Sequence, residues 1–299
     1  MMTKAVFLAV RAPFFLLSLS VVFLGTAIAL YQGATWSMFL FILISLTAVL
    51  AHVAVNLLNE YQDFQSGLDA MTEKTPFSGG SGALPNNPKA ATYVLNAFWV
   101  AMGALIVLGG YLIFLTGWVL LPLGIVGVLL IVFYTQTITR LPWLCLIAPG
   151  IAFGPIMVVG VGLVWTHSFS WLALSLSLVP FFWVNNLLLL NQIPDITADK
   201  RVGRFNILMK YDIQTGVKIF IMFALFAYLS LAIAITVFQL PNTVWLALSG
   251  VVLLIPMLNR LLRCTKNSEK LPPILAMNVI INIVTPLLIA LGLLWSSIE

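Results

Sequence analysis

The sequence predicts an all-α integral membrane protein, a bundle of nine transmembrane helices that forms a single domain over residues 1–299. The chain is 62% hydrophobic and only 8% charged, with a mean hydropathy of +1.10, so it has too few charged groups to cover a water-soluble fold. Runs of about 18 to 25 apolar residues are long enough to cross a bilayer as helices. They cover residues 13–31, 37–60, 92–115, 117–138, 143–165, 171–193, 217–238, 242–259 and 272–296.

The basic residues predict how these spans are oriented. With nine spans, all fourteen Lys and Arg residues fall in segments on one side, and basic segments remain cytoplasmic. We therefore expect a cytoplasmic N-terminus, a site that opens to the cytoplasm, and a multi-pass protein of the bacterial inner (cytoplasmic) membrane. The formal charge of +5 suits anionic membrane lipid or a phosphorylated substrate, and nucleic acid is not an expected partner.

Carboxylates and amides cluster where the second span ends. Polar groups at a membrane edge are costly, so such a cluster indicates function. Four members recur at helical spacing and share one stripe of the helix, and a further acid follows after a glycine. In the motif at 56–69 and the turn before it, they are His52, Asn56, Asn59, Asp63 and then Asp69. We expect His52 to be a packed, hydrogen-bonded histidine.

A second cluster ends the sixth span, in the motif at 191–204. Asn191, Asp195 and Asp199 repeat every four residues and also share a stripe. Pro194 removes a backbone hydrogen bond, so a kink or a restart of the helix is expected there. Both motifs read Asn-x-x-x-Asp followed by a further Asp. Four helices separate them, so both open to the same side.

Clustered carboxylates repel one another and favour bound cations. Oxygen ligands without Cys or His suit Mg²⁺, which bridges a few carboxylates to substrate phosphates. Bases on the same side can meet the charge of a diphosphate. They are Lys74, Arg140, Lys200, Arg201 and Arg204. The predicted substrate is a diphosphate with an apolar remainder.

The residues NEYQD…D at 59–69 and NQIPDITAD at 191–199 resemble the two aspartate-rich motifs of the UbiA-type intramembrane aromatic prenyltransferases. The resemblance covers the whole chain. It includes RAPFFLLSLSVVFLGTA at 11–27, and Tyr134 with Arg140 in the family's polar segment between helices 4 and 5. It implies a nine-helix fold in which helices 2 and 6 bind Mg²⁺ and an isoprenyl diphosphate.

By this resemblance, with the charge argument, Asp63, Asp69, Asp195 and Asp199 hold the metal ions. Asn56, Asn59 and Asn191, with Lys74, Lys200, Arg201 and Arg204, bind substrate, and Tyr134 and Arg140 assist catalysis. The five residues between Asp63 and Asp69, with PFSGGSG at 76–82, resemble the branch that prenylates 1,4-dihydroxy-2-naphthoate in menaquinone synthesis. The alternatives within the family are 4-hydroxybenzoate, homogentisate, a tetrapyrrole or a glycerol phosphate lipid.

Several residues have two interpretations. Trp99, Phe181, Phe182 and Trp183 either face the isoprenoid or, as we favour, pack and face lipid. Asn185 and Asn186 either touch the acceptor or bond between helices. SGGSG at 78–82 is either a phosphate cradle or, as we favour, a mobile lid that carries Lys74.

Two other classes of protein share part of the pattern. An ion-coupled transporter also uses intramembrane acids, but it places them near the middle of the bilayer. A phosphatidyl transferase carries an Asp-Gly-x-x-Ala-Arg run, which this sequence lacks.

Overall fold

The computed structural model describes residues 2–72, 80–262 and 271–295, and this part of the chain is helical, without strands. Eight of its helices are long and apolar enough to cross a membrane, which makes this a multi-pass membrane protein. They are Met2–Tyr31, Met38–Gln65, Pro88–Thr116, Pro142–Thr166, Trp171–Arg201, Ile213–Val237, Asn242–Leu261 and Leu271–Trp295.

The fourth expected span, 117–138, is represented by a shorter apolar helix, Trp118–Phe133. Gly117 begins it with a φ of 103°, a conformation that favours glycine. At the other end the chain turns through Ile138–Arg140 before the next helix. This segment is apolar and helical as expected, and its length alone sets it apart from the eight candidate spans.

We number the main helices α1 to α11 in chain order. They are α1 (Met2–Ala9), α2 (Phe15–Tyr31), α3 (Met38–Gln65), α4 (Ala91–Thr116), α5 (Leu121–Phe133), α6 (Pro142–Ile151), α7 (Gly160–Thr166), α8 (Trp171–Arg201), α9 (Ile213–Val237), α10 (Val251–Leu261) and α11 (Leu271–Trp295).

The helices α3 and α8 carry the two acidic motifs and run past the ends of the apolar spans. They have 28 and 31 residues. Each begins at a serine whose hydroxyl accepts a backbone hydrogen bond: Ser37 from Leu40 at 3.3 Å and Ser170 from Ala173 at 3.1 Å. These caps satisfy donors that a helix start leaves free. The helix α8 continues through Pro194, so no restart occurs at that residue.

The helix α6 continues through a π-helical segment, Ala152–Val159, into α7, and Pro155 lies inside that segment. This run packs closely on α8. A Cβ added to Gly154 would lie 2.6 Å from the carbonyl oxygen of Ser177, and one added to Gly150 would overlap Asn185. Small residues four apart allow two helix backbones to approach in this way.

Candidate functional site

A cavity of about 910 Å³ runs through the bundle between α2, α3, α4, α5, α6, α7 and α8. On α3 its wall extends from Ile44 to Asp63, and on the α6–α7 run from Cys145 to Val164. Nineteen residues of helix span about 28 Å. The cavity is therefore about as long as the hydrocarbon core of a bilayer is thick.

The polar lining is concentrated at one end of this cavity, where α3 and α8 finish. The rest of the wall is largely Leu, Ile, Val, Ala and Gly. The polar end contains residues of both predicted motifs, as well as two residues from other parts of the chain. It contains Asn59, Asp63, Asp69, Tyr134, Asn191, Asp195, Asp199, Arg204 and Arg11.

Arg204 joins the two motifs. Its guanidinium donates to Asp63 on α3 and, at 3.2 Å, to Asp199 on α8. Both carboxylates are buried. Burial alone would lower the pKa of Arg204, but the two carboxylates raise it above its ordinary value, so the guanidinium stays charged.

The backbone just after α8 places this guanidinium. Gly203 adopts a φ of 78°, which ends the helix in the left-handed conformation that glycine favours. Arg204 then donates its backbone N–H to the carbonyl of Asp199 at 3.0 Å, and Phe205 donates to the carbonyl of Thr139 at 3.0 Å. These two hydrogen bonds turn the chain back towards the polar end of the cavity.

Asp69 reaches the site through a tight turn. Gly67 ends α3 with a φ of 76°, and Asp69 lies in the short 3-10 helix Leu68–Ala70. Gly80 packs directly on its carboxylate, and a Cβ there would overlap Oδ1. Burial, together with the nearby Glu60 and Asp63, raises the pKa of Asp69 to about 7, because each of these makes the charged form less favourable.

Arg11 lines this end of the cavity and Glu60 lies beside it, although neither residue has a role predicted from the sequence. Glu60 is 1% exposed. It accepts hydrogen bonds from the Ser81 hydroxyl at 2.5 Å and the Ser81 backbone at 3.2 Å, and Arg11 lies 4.0 Å away. A buried acid needs such partners. The available signal was the position of Glu60 inside the first motif.

The segment after α5 also supports the site. Asn59 donates to the hydroxyl of Thr135 at 3.1 Å, and Thr139 donates to the carbonyl of Thr135 at 2.6 Å. Tyr134 lines the cavity, as does Cys145, whose sulfur accepts a hydrogen bond from Gln192 at 3.3 Å. Asn59 is thus fixed by a residue 76 positions away in the chain.

The oxygen atoms at this end of the cavity suit a hard cation such as Mg²⁺. Asp69 Oδ2, Asn191 Oδ1 and Gln192 Oε1 are buried acceptor oxygens that have no hydrogen-bond partner in the described part of the chain, and all three residues line the cavity. Buried acceptors of this kind gain most from a cation or a bound donor. Within residues 2–72, 80–262 and 271–295, no three His, Cys, Asp or Glu side chains form a metal-ligand group. Arg204 lies between Asp63 and Asp199.

Three of the predicted basic residues lie outside the cavity, and a fourth falls outside the described residues. Arg140 is exposed and does not line the cavity. Lys200 and Arg201 border a separate small pocket on the outside of α8, and Arg201 Nη1 lies 3.9 Å from the sulfur of Met71. Lys74 and residues 78 and 79 of the predicted lid lie outside the described residues. Helix geometry explains the difference, because residues 200 and 201 follow Asp199 on other faces of α8.

The aromatic residues pack or face outward, as we favoured. Trp99 is 62% exposed, and Trp183 is 1% exposed and packs against Phe220 and Tyr228. None of the four predicted aromatics lines the cavity.

The two asparagines in α8 bond between helices. Asn185 accepts a hydrogen bond from the backbone of Gly150 at 2.7 Å, and Asn186 donates to the carbonyl of Phe220 at 3.0 Å. Neither side chain lines the cavity.

A family model described as "UbiA prenyltransferase family" matches residues 18–294, nearly the whole chain. This chain belongs to the UbiA prenyltransferase family. It is therefore a prenyltransferase, and the resemblance read from the two aspartate motifs is confirmed.

Among curated proteins, the 1,4-dihydroxy-2-naphthoate octaprenyltransferase of Bacillus subtilis (strain 168) is 28% identical to this UbiA-family chain over 186 residues. The match covers 61% of this chain and 58% of that protein. The matched region thus spans somewhat over half the length of this relative.

Solved structures, two of them of UbiA homologs, share the fold. The apo structure of a UbiA homolog from Aeropyrum pernix K1 matches with a TM-score of 0.73 at 15% identity, over 95% of this chain and 98% of that one. A homolog from Archaeoglobus fulgidus bound to GPP and Mg²⁺ gives 0.62 at 14% identity, over 95% and 99%. A digeranylgeranylglyceryl phosphate synthase gives 0.70 at 13% identity, over 98% and 99%.

Proposed function

We propose that this protein catalyses the Mg²⁺-dependent transfer of an isoprenyl group from a polyprenyl diphosphate to an aromatic acceptor, 1,4-dihydroxy-2-naphthoate. The observation that carries the proposal is the shape of the cavity. One long apolar chamber ends at the carboxylates of two helices and the guanidinium of Arg204. A polyprenyl diphosphate has the same division into an apolar chain and an anionic end.

At the polar end, Asp63, Asp69, Asp195 and Asp199 would hold the metal ions. Mg²⁺ bound there supplies Lewis-acid stabilisation of the departing diphosphate. Asn59 and Asn191 orient the diphosphate oxygens. The remaining contacts at this end are assigned to Asn56, Tyr134 and Arg204, which line the cavity. Arg140, Lys200 and Arg201 do not line it and are left out of the scheme.

Arg204 has a second task in this scheme. Its guanidinium lies in the cavity and contacts both motifs, so it neutralises charge that builds up as the diphosphate leaves. The carbon–oxygen bond breaks with its electron pair going to diphosphate. The ring carbon of the acceptor then attacks the allylic carbon, and the ring loses a proton.

The apolar chamber protects this chemistry from water. An allylic cation reacts with water, so the wall must exclude it. The lining along the α6–α7 run supplies such a wall with Ala152, Ile156, Met157, Gly160 and Val164. A chamber of about 28 Å also suits an isoprenoid of many units.

The choice of naphthoate as acceptor rests on three supports. The spacing from Asp63 to Asp69 and the loop at 76–82 resemble that branch of the family, and the curated relative from Bacillus subtilis carries that activity. A dihydroxynaphthalene ring is also electron-rich, so it captures a cation without a strong base. Hydroxybenzoate, homogentisate, tetrapyrroles and glycerol phosphate lipids are the alternative acceptors.

The orientation proposed from the charges completes the scheme. We propose nine crossings, with Trp118–Phe133 as the fourth, a cytoplasmic N-terminus and a cavity mouth on the cytoplasmic side of a bacterial inner membrane. The exposed residues Arg140, Lys200 and Lys210 then lie inside, and His167 lies outside.

A competition assay tests the reaction. Purified protein in detergent is given Mg²⁺, octaprenyl diphosphate, and equimolar 1,4-dihydroxy-2-naphthoate and 4-hydroxybenzoate. We expect the prenylated naphthoate as the main product, EDTA to abolish turnover and Mg²⁺ to restore it. A product built mainly on hydroxybenzoate overturns the acceptor and leaves the family unchanged. Ion-driven uptake by vesicles without prenyl transfer would favour a transporter.

Cysteine labelling tests the orientation. Arg140→Cys, Lys200→Cys and Lys210→Cys, made in a chain without its two native cysteines, should react with an impermeant maleimide only in inside-out vesicles. His167→Cys should react only in right-side-out vesicles. A reversed result at any one of the four positions contradicts the nine-crossing orientation.

A further inference from the structure

The ring of His52 is held on the cavity wall with one nitrogen unused. Its Nδ1 lies 3.2 Å from the hydroxyl of Ser18 on α2. Its Nε2 is buried and has no hydrogen-bond partner among the described residues. Phe15 and Phe153 meet the ring edge-on, with centroids at 5.5 and 6.4 Å. The ring was expected to be packed and hydrogen-bonded, and half of its hydrogen-bonding capacity is left open.

This open nitrogen needs a partner that comes from the cavity. A buried polar atom without a hydrogen bond destabilises the fold by an amount comparable to a lost hydrogen bond. His52 and Ser18 both line the cavity, so a ligand there reaches the ring directly. Within the membrane, such a polar group indicates a functional site.

An apolar slot lies beside His52. Leu17, Val184 and Leu187 form one buried cluster, and Phe153 packs against it. All four residues line the cavity, and Phe153 also contacts the ring of His52. A flat aromatic molecule finds apolar faces here and a single polar atom, the pattern that orients ligands in small-molecule sites.

The depth of His52 separates it from the metal and diphosphate end. It precedes Asn59 by seven residues and Asp63 by eleven, about 10 and 16 Å along the axis of α3. This is too deep for contact with the diphosphate. It lies on the apolar side of that group, the side towards which the isoprenoid chain extends.

We propose that His52, supported by Ser18, binds a ring hydroxyl of the aromatic acceptor, and that Leu17, Phe153, Val184 and Leu187 hold its ring. This inference rests on the proposed function and adds the acceptor subsite to it. The ligand class is a phenolic aromatic acid.

The hydrogen-bond chemistry is consistent for either tautomer of the histidine. A phenolic hydroxyl donates and accepts, and so does the hydroxyl of Ser18. When Nδ1 carries the proton and donates to Ser18, Nε2 accepts from the ring hydroxyl and increases the electron density of the ring. His52 takes no part in breaking the carbon–oxygen bond. Ser18 is a positioning residue.

Two substitutions of His52 test the contact. Asn keeps a polar atom near the Nδ1 position and loses the one at Nε2, whereas Gln places its amide near Nε2. We expect His52→Asn to raise KM for the acceptor about tenfold, the size of one lost hydrogen bond, with KM for octaprenyl diphosphate within twofold of wild type. His52→Gln should recover most of the loss. The matched control is His167→Asn, an exposed histidine that does not line the cavity, which should leave both KM values unchanged.

A second readout separates binding of the acceptor from structural damage. In His52→Asn the isoprenoid still ionises, but the acceptor captures the cation slowly. Water then attacks the cation instead of the acceptor and gives prenyl alcohol with release of a proton. We expect the ratio of prenyl alcohol to prenylated acceptor to rise at least fivefold. The melting temperature should stay close to that of wild type.

The outcomes distinguish this inference from the proposed function. An acceptor KM for His52→Asn within twofold of wild type overturns the role of His52 while aromatic prenylation stands. An equal rise in both KM values also overturns it, because that result indicates a structural role. If wild-type protein prenylates only a glycerol phosphate lipid, both proposals are wrong.

Discussion

The two acidic helix ends have matching sequence patterns, but the structure builds them differently. On α8, Asn191, Asp195 and Asp199 follow one another on a single continuous helix that ends at Arg201. On α3, the helix stops at Gln65, and the second aspartate, Asp69, is delivered by a separate turn. One motif is a rigid stripe, and the other is a helix followed by a folded segment.

The difference determines what each motif depends on. The side chains of the α8 motif are positioned mainly by their own helix and by the turn at Gly203. The α3 motif needs residues distant in the chain: Ser81 on Glu60 and Gly80 on Asp69. We therefore expect the first motif to be sensitive to substitutions outside it and the second to be sensitive mainly to substitutions within it.

The largest effect is expected when one carboxylate is removed from either motif. Asp63→Asn and Asp195→Asn should each reduce prenyl transfer more than about tenfold at saturating Mg²⁺, because each removes a charged metal ligand. The folded structure should persist, since asparagine has nearly the same shape. Steady-state assays and thermal melting measure the two effects. Activity above a tenth of wild type in both variants contradicts a site built on two clusters.

Removal of the bridge between the motifs should have the next largest effect. Arg204→Gln leaves Asp63 and Asp199 buried without their shared counter-charge, so we expect both lower stability and a higher KM for polyprenyl diphosphate. Arg204→Lys keeps the charge but lacks the planar fork that reaches two carboxylates. It should recover only part of the activity. Full activity in the lysine variant would show that charge alone suffices.

Gly80→Ala should affect the α3 motif alone. Gly80 has a φ of 73° and packs on Asp69, whereas Gly33 has a φ of 94° and open space around it. Alanine at either position should destabilise the fold by about 1 to 2 kcal/mol through the left-handed backbone. Only Gly80→Ala should also raise the Mg²⁺ concentration needed for half-maximal activity. An equal Mg²⁺ response in Gly33→Ala contradicts a role for the contact with Asp69.

The smallest effect is expected at the support of Asn59. Thr135→Val removes the hydroxyl that accepts a hydrogen bond from Asn59 at 3.1 Å. One such bond contributes about 1 kcal/mol, so we expect kcat to fall about fivefold with little change in melting temperature. Asn59→Ala should lose more, because it removes the group assigned to the diphosphate. If Thr135→Val loses as much as Asn59→Ala, the threonine itself contacts substrate.

Periodicity predicted the helices and the two motifs because both are local properties of the chain. Asn191, Asp195 and Asp199 share a face wherever a helix forms, and their position after an apolar span places them at a membrane edge. The same argument cannot assign Lys200 and Arg201, because residues one or two positions apart point to different sides of a helix. Adjacent bases were therefore predicted at the site although they face outward.

The sequence by itself determined the helical membrane fold class and the acidic residues at two helix ends, since hydropathy and spacing depend only on neighbours in the chain. The family followed from the resemblance of the two aspartate motifs. The tertiary structure decided which distant groups meet them. It brought Arg204 between Asp63 and Asp199, placed Ser81 on Glu60, and left one nitrogen of His52 open to the cavity. These contacts join residues from different helices, and their energies depend on burial and distance, which no local pattern encodes.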